Sequence, residues 1–126
     1  MTTEAPTVDF NAVDMESGWR RPDGYPDGIE FKILSGELDT AAKRGRRTTL
    51  ARWRSGVEFG EVLTHDHVEE VFVIAGTLLW LDAAGAVIGR AGPNSYVCRP
   101  AGVPHGPFRA EGEFLAIEIC YYEEKP

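Results

Sequence analysis

No stretch of this chain carries a helical period; its apolar residues come in short alternating runs, each closed by glycine, proline or an Asp-Gly pair. A core assembled from such runs has to be built from strands. Between Trp19 and Gly28 the chain turns repeatedly at Pro22, Asp23-Gly24, Pro26 and Asp27-Gly28. Residues Ile29 to Leu34 alternate and predict a strand ending near Ser35-Gly36, Glu37 to Arg47 reads as a loop, and Thr48 to Arg54 predicts a second strand stopped at Ser55-Gly56. A short link leads to Val62-Leu63-Thr64, and Val71 to Leu81 continues as strand, broken by Gly76. Asp82 to Gly85 is a hairpin turn, Ala86 to Ile88 the return strand, and Gly89 to Asn94 a second turn. Ser95 to Arg99 is a strand stopped by Pro100, and Phe114 to Tyr122 is a long closing strand. About eight strands at near-regular spacing predict an all-β sandwich or barrel.

The 126 residues, 43% of them hydrophobic, suffice for one core and one domain. Residues 1–18 hold few apolar side chains and are expected to form a loose arm, leaving residues 19–126 for the domain. A net charge of −7 and a pI near 4.9 argue against a phosphate-backbone partner and favour small molecules. No run approaches the roughly 18 apolar residues of a membrane span, and Met1 to Phe10 is polar and acidic where a signal peptide is basic and then apolar, so a cytoplasmic protein is expected. Cys98 and Cys120 lie in separate apolar runs without Cys-x-x-Cys spacing and are expected to be reduced core thiols. The run Lys43-Arg44-Gly45-Arg46-Arg47 has two readings, a grip for an anionic substrate or a solvated loop, and the loop is the expectation because an isolated basic run in an acidic protein usually faces water.

All three histidines fall in two places. His65 and His67 stand in Thr64-His65-Asp66-His67-Val68-Glu69-Glu70, just ahead of the strand that reaches Gly76. His105 stands in Pro100-Ala101-Gly102-Val103-Pro104-His105-Gly106, held among prolines and glycines. Neutral imidazole is the commonest metal ligand among side chains, and two histidines with a carboxylate and open positions form the usual shell of a non-haem Fe(II) centre.

These two segments carry a resemblance to the cupin superfamily, small jelly-roll barrels with a metal in the mouth. The first cupin motif sets a glycine, a His-x-His pair, a glutamate and a second glycine in order; here Gly60, His65-Asp66-His67, Glu69 and Gly76 follow that order, with six residues between the last two. The second motif, Pro-x-Gly-x-x-His, is matched by Pro100 to His105. The resemblance implies a single-domain cupin jelly-roll β-barrel with His65, His67, Glu69 and His105 as ligands of one divalent transition metal, Fe(II) foremost, with Zn, Mn or Ni as alternatives. It also implies a homodimer. The implied activity is that of a metal-dependent enzyme acting on a small oxygenated organic molecule, foremost an Fe(II) dioxygenase-type C–C cleavage. The alternatives are a non-oxidative Zn or Mn isomerase, lyase or cyclase, and a non-catalytic ligand carrier or sensor.

Three departures from the pattern carry expectations of their own. Asn94 stands where the second motif has glycine, and asparagine best tolerates positive φ among the other residues, so the turn is expected to survive. Arg109 stands where an asparagine often follows the last histidine, which places a cation near the mouth. Only Val68 separates His67 from Glu69, where the family has three or four residues. In an unbroken strand, His65 and Glu69 would have Cα atoms about 13 Å apart at about 3.3 Å per residue, too far for both to bind one ion. Either the chain bends near Val68 in ordinary φ/ψ space, or Glu69 is not a ligand. The acidic pair therefore has three readings: Glu69 completes a three-histidine shell, Glu69 only supports the histidines, or Glu69 or Glu70 replaces one histidine. Parity favours Glu69, which shares a face with Val71 and Val73, over Glu70, which shares the other with Phe72 and Ile74.

Trp53, Leu63, Tyr96 and Phe108 are candidates for an apolar lining over the metal, or are plain core. Glu118, between Ile117 and Ile119, either faces solvent or projects into the barrel as an acid–base group, the role also considered for Glu69.

Overall fold

A computed structural model of the chain describes residues 7–123. Residues 1–6 of the expected arm and the end of the domain beyond 123 lie outside these; residues 7–18 form no helix or strand and are exposed. Seven strands account for the regular structure: β1 (Ile29–Asp39), β2 (Arg44–Trp53), β3 (Glu58–Phe59), β4 (Val68–Leu81), β5 (Val87–Ala91), β6 (Tyr96–Arg99) and β7 (Phe108–Tyr121). Among the described residues there is no helix, and so none long and apolar enough to cross a membrane.

Two 14-residue strands, β4 and β7, pair antiparallel along most of their length and carry the rest. The first half of β4 pairs with β6 on its free side and the second half with β5. The first residues of β7 pair with β3, and the remainder with β2, which is followed by β1. The two strands are therefore shared between two sheet halves, β1-β2-β7-β4-β6 and β3-β7-β4-β5. The halves meet where the β4–β7 register shifts around Gly76. Gly76 has φ +75°, and a Cβ there would strike the backbone carbonyl of Glu113, so only glycine permits the two strands to fold over together. Gly76 thus bends β4 and does not break it.

Several elements run longer than their alternation predicts. β1 continues past Ser35-Gly36 to Asp39 through a bulge between Ile33 and Ser35, and β2 begins at Arg44. The basic run expected to be a solvated loop is therefore the start of a strand, whose partners are Glu37 for Arg46 and Cys120 for Arg47. The turn residue Lys43 does face solvent and pairs with Asp66 at 3.6 Å. β7 begins at Phe108 rather than Phe114, because Phe108 and Arg109 pair with β3, in a stretch read as a link. The Asp82–Gly85 hairpin forms with the Asp82 carboxylate accepting from the backbone of Ala84 and Ala86. Asn94 takes φ +69°, so the turn survives without its glycine.

The core lies where the two halves face each other: Ile29, Trp53, Phe59, Val71, Val73, Ala110, Phe114 and Ala116 pack as one cluster. Trp53 meets Phe114 edge to face at 6.2 Å. Only one cysteine joins the buried set. Cys120 is buried, but Cys98 sits beside Tyr96 on the outward parity of β6 and is exposed, which corrects the expectation of two core thiols.

Candidate metal centre

Inward-pointing residues of the first sheet half line up in rows across the strands. One row runs Arg47–Cys120–Glu69–Arg99, the next Thr49–Glu118–Val71–Val97, then Ala51–Ala116–Val73, then Trp53–Phe114. Because strand side chains alternate, all four rows face the same way. They look onto a cavity of about 1240 Å³ that is also lined by Leu78, Trp80 and Ala91 of the other half.

The histidines arrive at the charged row from two loops that hold each other. Leu63 and His105 exchange backbone hydrogen bonds of 2.8 and 2.9 Å, and Gly102 N–H donates to the His65 carbonyl at 2.8 Å. At Asp66 and His67 the chain bends before β4 begins at Val68, with no positive φ among these residues. The bend foreseen near Val68 thus lies one step earlier, in ordinary backbone space. It brings His65 back over Glu69: His65 Nε2 and His105 Nε2 each lie 3.6 Å from Glu69 Oε2. The three donor atoms all lie within 4.8 Å of one another.

A metal ion fits this donor set. With ligand bonds of about 2.1 Å, tetrahedral ligands stand about 3.4 Å apart, close to the 3.6 Å from each imidazole to Glu69. His105 Nδ1 lies 3.2 Å from the Val103 carbonyl, and since a carbonyl only accepts, Nδ1 carries the proton and Nε2 turns its lone pair to the centre. Burial pushes the His65 imidazole below its usual value, more than the Glu69 charge raises it, which favours the neutral ring that binds metals. Glu69 is 8% exposed, and its other oxygen, Oε1, meets Arg99 Nη1 at 3.5 Å, so Oε2 is the atom left for an ion.

His67 is not part of this trio. Its ring lies flat against His65, centroids 4.6 Å apart, with Tyr122 edge-on at 5.8 Å, and its Nδ1 is 3.2 Å from the Val68 carbonyl. Of the three readings of the acidic pair, the geometry matches the one in which Glu69 takes the place of a histidine. Glu70 points outward and accepts a short hydrogen bond from Tyr96.

Glu118 projects into the cavity rather than out to solvent. Burial first, then the negative charge of Glu69, pushes its carboxyl up to about 8, against the pull of Arg99 and Arg47. The folded chain therefore favours its protonated form. Its strand neighbour Cys120 is pushed up to about 12 by burial and by Glu118 and stays a thiol.

Of the lining candidates, Trp53, Leu63 and Phe108 face the cavity. Tyr96 does not: it is opposite Phe72 on the outward parity of β6, 60% exposed. Arg109 is also turned away, paired with Glu58 at 3.5 Å, so the cation expected at the mouth is not there. Arg99 and Arg47 are cations at the site; Arg99 is not singled out in the sequence, and Arg47 stands there only as the end of the basic run expected to face water. Arg99 lies under Phe108, 5.4 Å from the ring, and lines the cavity with Arg47 and Tyr25. Parity would have found Arg47, since 47, 49, 51 and 53 fall on one face once the strand is allowed to start early.

No family model and no curated protein sequence matches the chain. Solved structures do. An RmlC-like cupin from Shewanella frigidimarina superposes with a TM-score of 0.65 at 14% identity, covering 94% of this chain and 95% of its own. The chain has the cupin fold. KdgF from Halomonas sp. gives 0.64 at 19% identity over 90% of this chain and 93% of its own. The acetylacetone dioxygenase of Acinetobacter johnsonii gives 0.63 at 17% identity over 93% of this chain and 76% of its own. At these identities the likeness establishes the cupin barrel and leaves the chemistry to the residues in it.

Proposed function

We propose that the chain is a metal-dependent cupin enzyme that cleaves a C–C bond of a small oxygenated substrate with O₂, Fe(II) being held by His65, Glu69 and His105. One observation carries this: two imidazole nitrogens and one carboxylate oxygen converge within 4.8 Å at the wall of a large cavity. Two histidines and one carboxylate leave open positions, and an iron ion held by them would supply the oxygen chemistry. The chain itself does the rest. Arg99 holds Glu69 in place, Phe108 and Trp53 keep the pocket apolar, and Glu118 can give a proton to the substrate. The likeness to an acetylacetone dioxygenase makes β-diketones the first compounds to try. The test is O₂ uptake by Fe(II)-loaded protein with diketones, catechols and hydroxyaryl ketones; one O₂ consumed per substrate cleaved is the expected result.

Glu118 favours a second reading. A protonated carboxyl beside a metal site is what a non-oxidative isomerase, lyase or cyclase requires, with Zn or Mn as the Lewis acid. Turnover without O₂ uptake would select it, and saturable binding without turnover would select a carrier or sensor. We further propose a homodimer through the outward face of β4 and β6, where Phe72, Ile74 and Tyr96 are exposed together. Phe72→Asp should leave a monomer in sedimentation experiments.

A further inference from the structure

Nothing in the proposed reaction explains the position of Arg47. It begins the charged row, two strands away from Glu69, and lines the cavity. Its Nε is buried without a hydrogen-bond partner, and the residue makes no ion pair with any described residue. A guanidinium is always charged, and leaving one of its donors buried and unmet is costly. The group beside it in its row is the thiol of Cys120 and not a carboxylate. Across the cavity wall Arg99 already has Glu69 at 3.5 Å. Arg47 is thus a cation at the cavity wall with no carboxylate paired to it among the described residues, and a divalent ion would add to the positive charge there.

We propose that Arg47 is an anion-binding residue and that the substrate is a small carboxylic acid, its carboxylate on Arg47 and an oxygen at its other end turned toward His65, Glu69 and His105. The second half of this assignment rests on the metal-centre reading; the first does not. Adjacent strands are about 4.8 Å apart, so the backbones of Arg47 and Glu69 stand roughly 9–10 Å from each other, and the two functional groups of the substrate are separated by a few carbons. A monoanion suits the site better than a phosphate dianion, because Glu69 and the acid Glu118 share the same wall. The apolar rows of Val71, Val73, Trp53 and Phe114 suit the carbon chain between.

The test uses an isosteric pair, levulinate and 2,5-hexanedione, which differ in carboxylate against acetyl. Calorimetric titrations are made on the full chain, both zinc-loaded and chelated. Wild type should bind levulinate at least about tenfold more tightly than the diketone, the worth of one charge-assisted hydrogen bond. Arg47→Met should erase that preference in both forms, Arg47→Lys should keep part of it, and Arg109→Met, outside the cavity, should leave it unchanged. Equal binding of the two probes by wild type, no measurable binding of levulinate, or an unchanged preference in Arg47→Met would overturn the proposal. A preference that appears only with zinc and survives Arg47→Met would mean that the carboxylate sits on the metal, which removes the Arg47 assignment and leaves the metal centre standing. Inorganic phosphate displacing levulinate at lower concentration than levulinate itself binds would reassign the site to phosphate and overturn the carboxylate.

Discussion

The two ends of the same four-strand wall do different work. At the Gly76 end, the rows Ala51–Ala116–Val73 and Trp53–Phe114 are apolar and buried. At the histidine end, Arg47–Cys120–Glu69–Arg99 places two cations and a carboxylate on the same backbones. Nothing in strand geometry distinguishes the ends; the side chains at every second position do. Packing therefore has to be supplied by the apolar rows, because the charged row stabilises little: burying charges costs about as much as pairing them returns. What the charged row gains is fixed placement, since each member is anchored by a strand that the apolar rows hold in register.

The sharpest way to break this contrast is to truncate each end. Phe114→Ala should cost about 3–5 kcal/mol in urea unfolding, as expected for a buried aromatic. The triple variant of His65, His67 and His105 to Ala should fold, with circular dichroism of a β protein, and lose only the stabilisation that bound metal provides. Comparable losses at the two ends would end the division of labour.

Glu118 sharpens it further, because it sits in the row between the two ends. Its folded carboxyl is raised to about 8 from an ordinary 4.5, so the fold prefers the protonated form. Between these values the folded chain keeps a proton that the unfolded chain releases, and stability falls as pH rises. The slope for one proton is at most about 1.4 kcal/mol per pH unit. In chelated protein, Glu118→Gln should remove that slope, so the variant gains on wild type from pH 5 to pH 8. Parallel stability curves would show that the carboxyl is not held protonated. The smallest effect belongs to the outward face: Tyr96→Phe loses one exposed hydrogen bond to Glu70 and should shift stability by no more than about 0.5 kcal/mol, with metal content unchanged.

Much of this was legible in the residues, for identifiable reasons. Alternation revealed the all-β class, and the two histidine segments revealed which loops meet, because their order and glycine spacing are tied to one barrel. The choice of Glu69 over Glu70 followed from parity and from the six residues between Glu69 and Gly76. What stayed hidden depended on partners. Arg47 looked like solvated charge because β2 was read from its apolar residues, and only pairing with Cys120 on β7 shows that the strand begins earlier and points the arginine inward. Tyr96 looked like pocket lining because four residues of β6 cannot reveal which parity faces in; its register with Phe72 decides that. His67 belongs to the same His-x-His pair as His65, yet the bend at Asp66 sends its ring onto the back of His65 rather than toward Glu69.

Metal content tests the central claim most directly. Purified protein loaded with Fe(II) under anaerobic conditions, or with Zn(II), and freed of excess ion is assayed by elemental analysis alongside His105→Ala, Glu69→Gln and Glu70→Gln. The account predicts about one ion per chain in wild type and Glu70→Gln, a strongly reduced content in Glu69→Gln and near none in His105→Ala, with all four proteins folded. A folded wild type that holds no ion under any loading, or one whose ion is indifferent to His105 and Glu69, would contradict it.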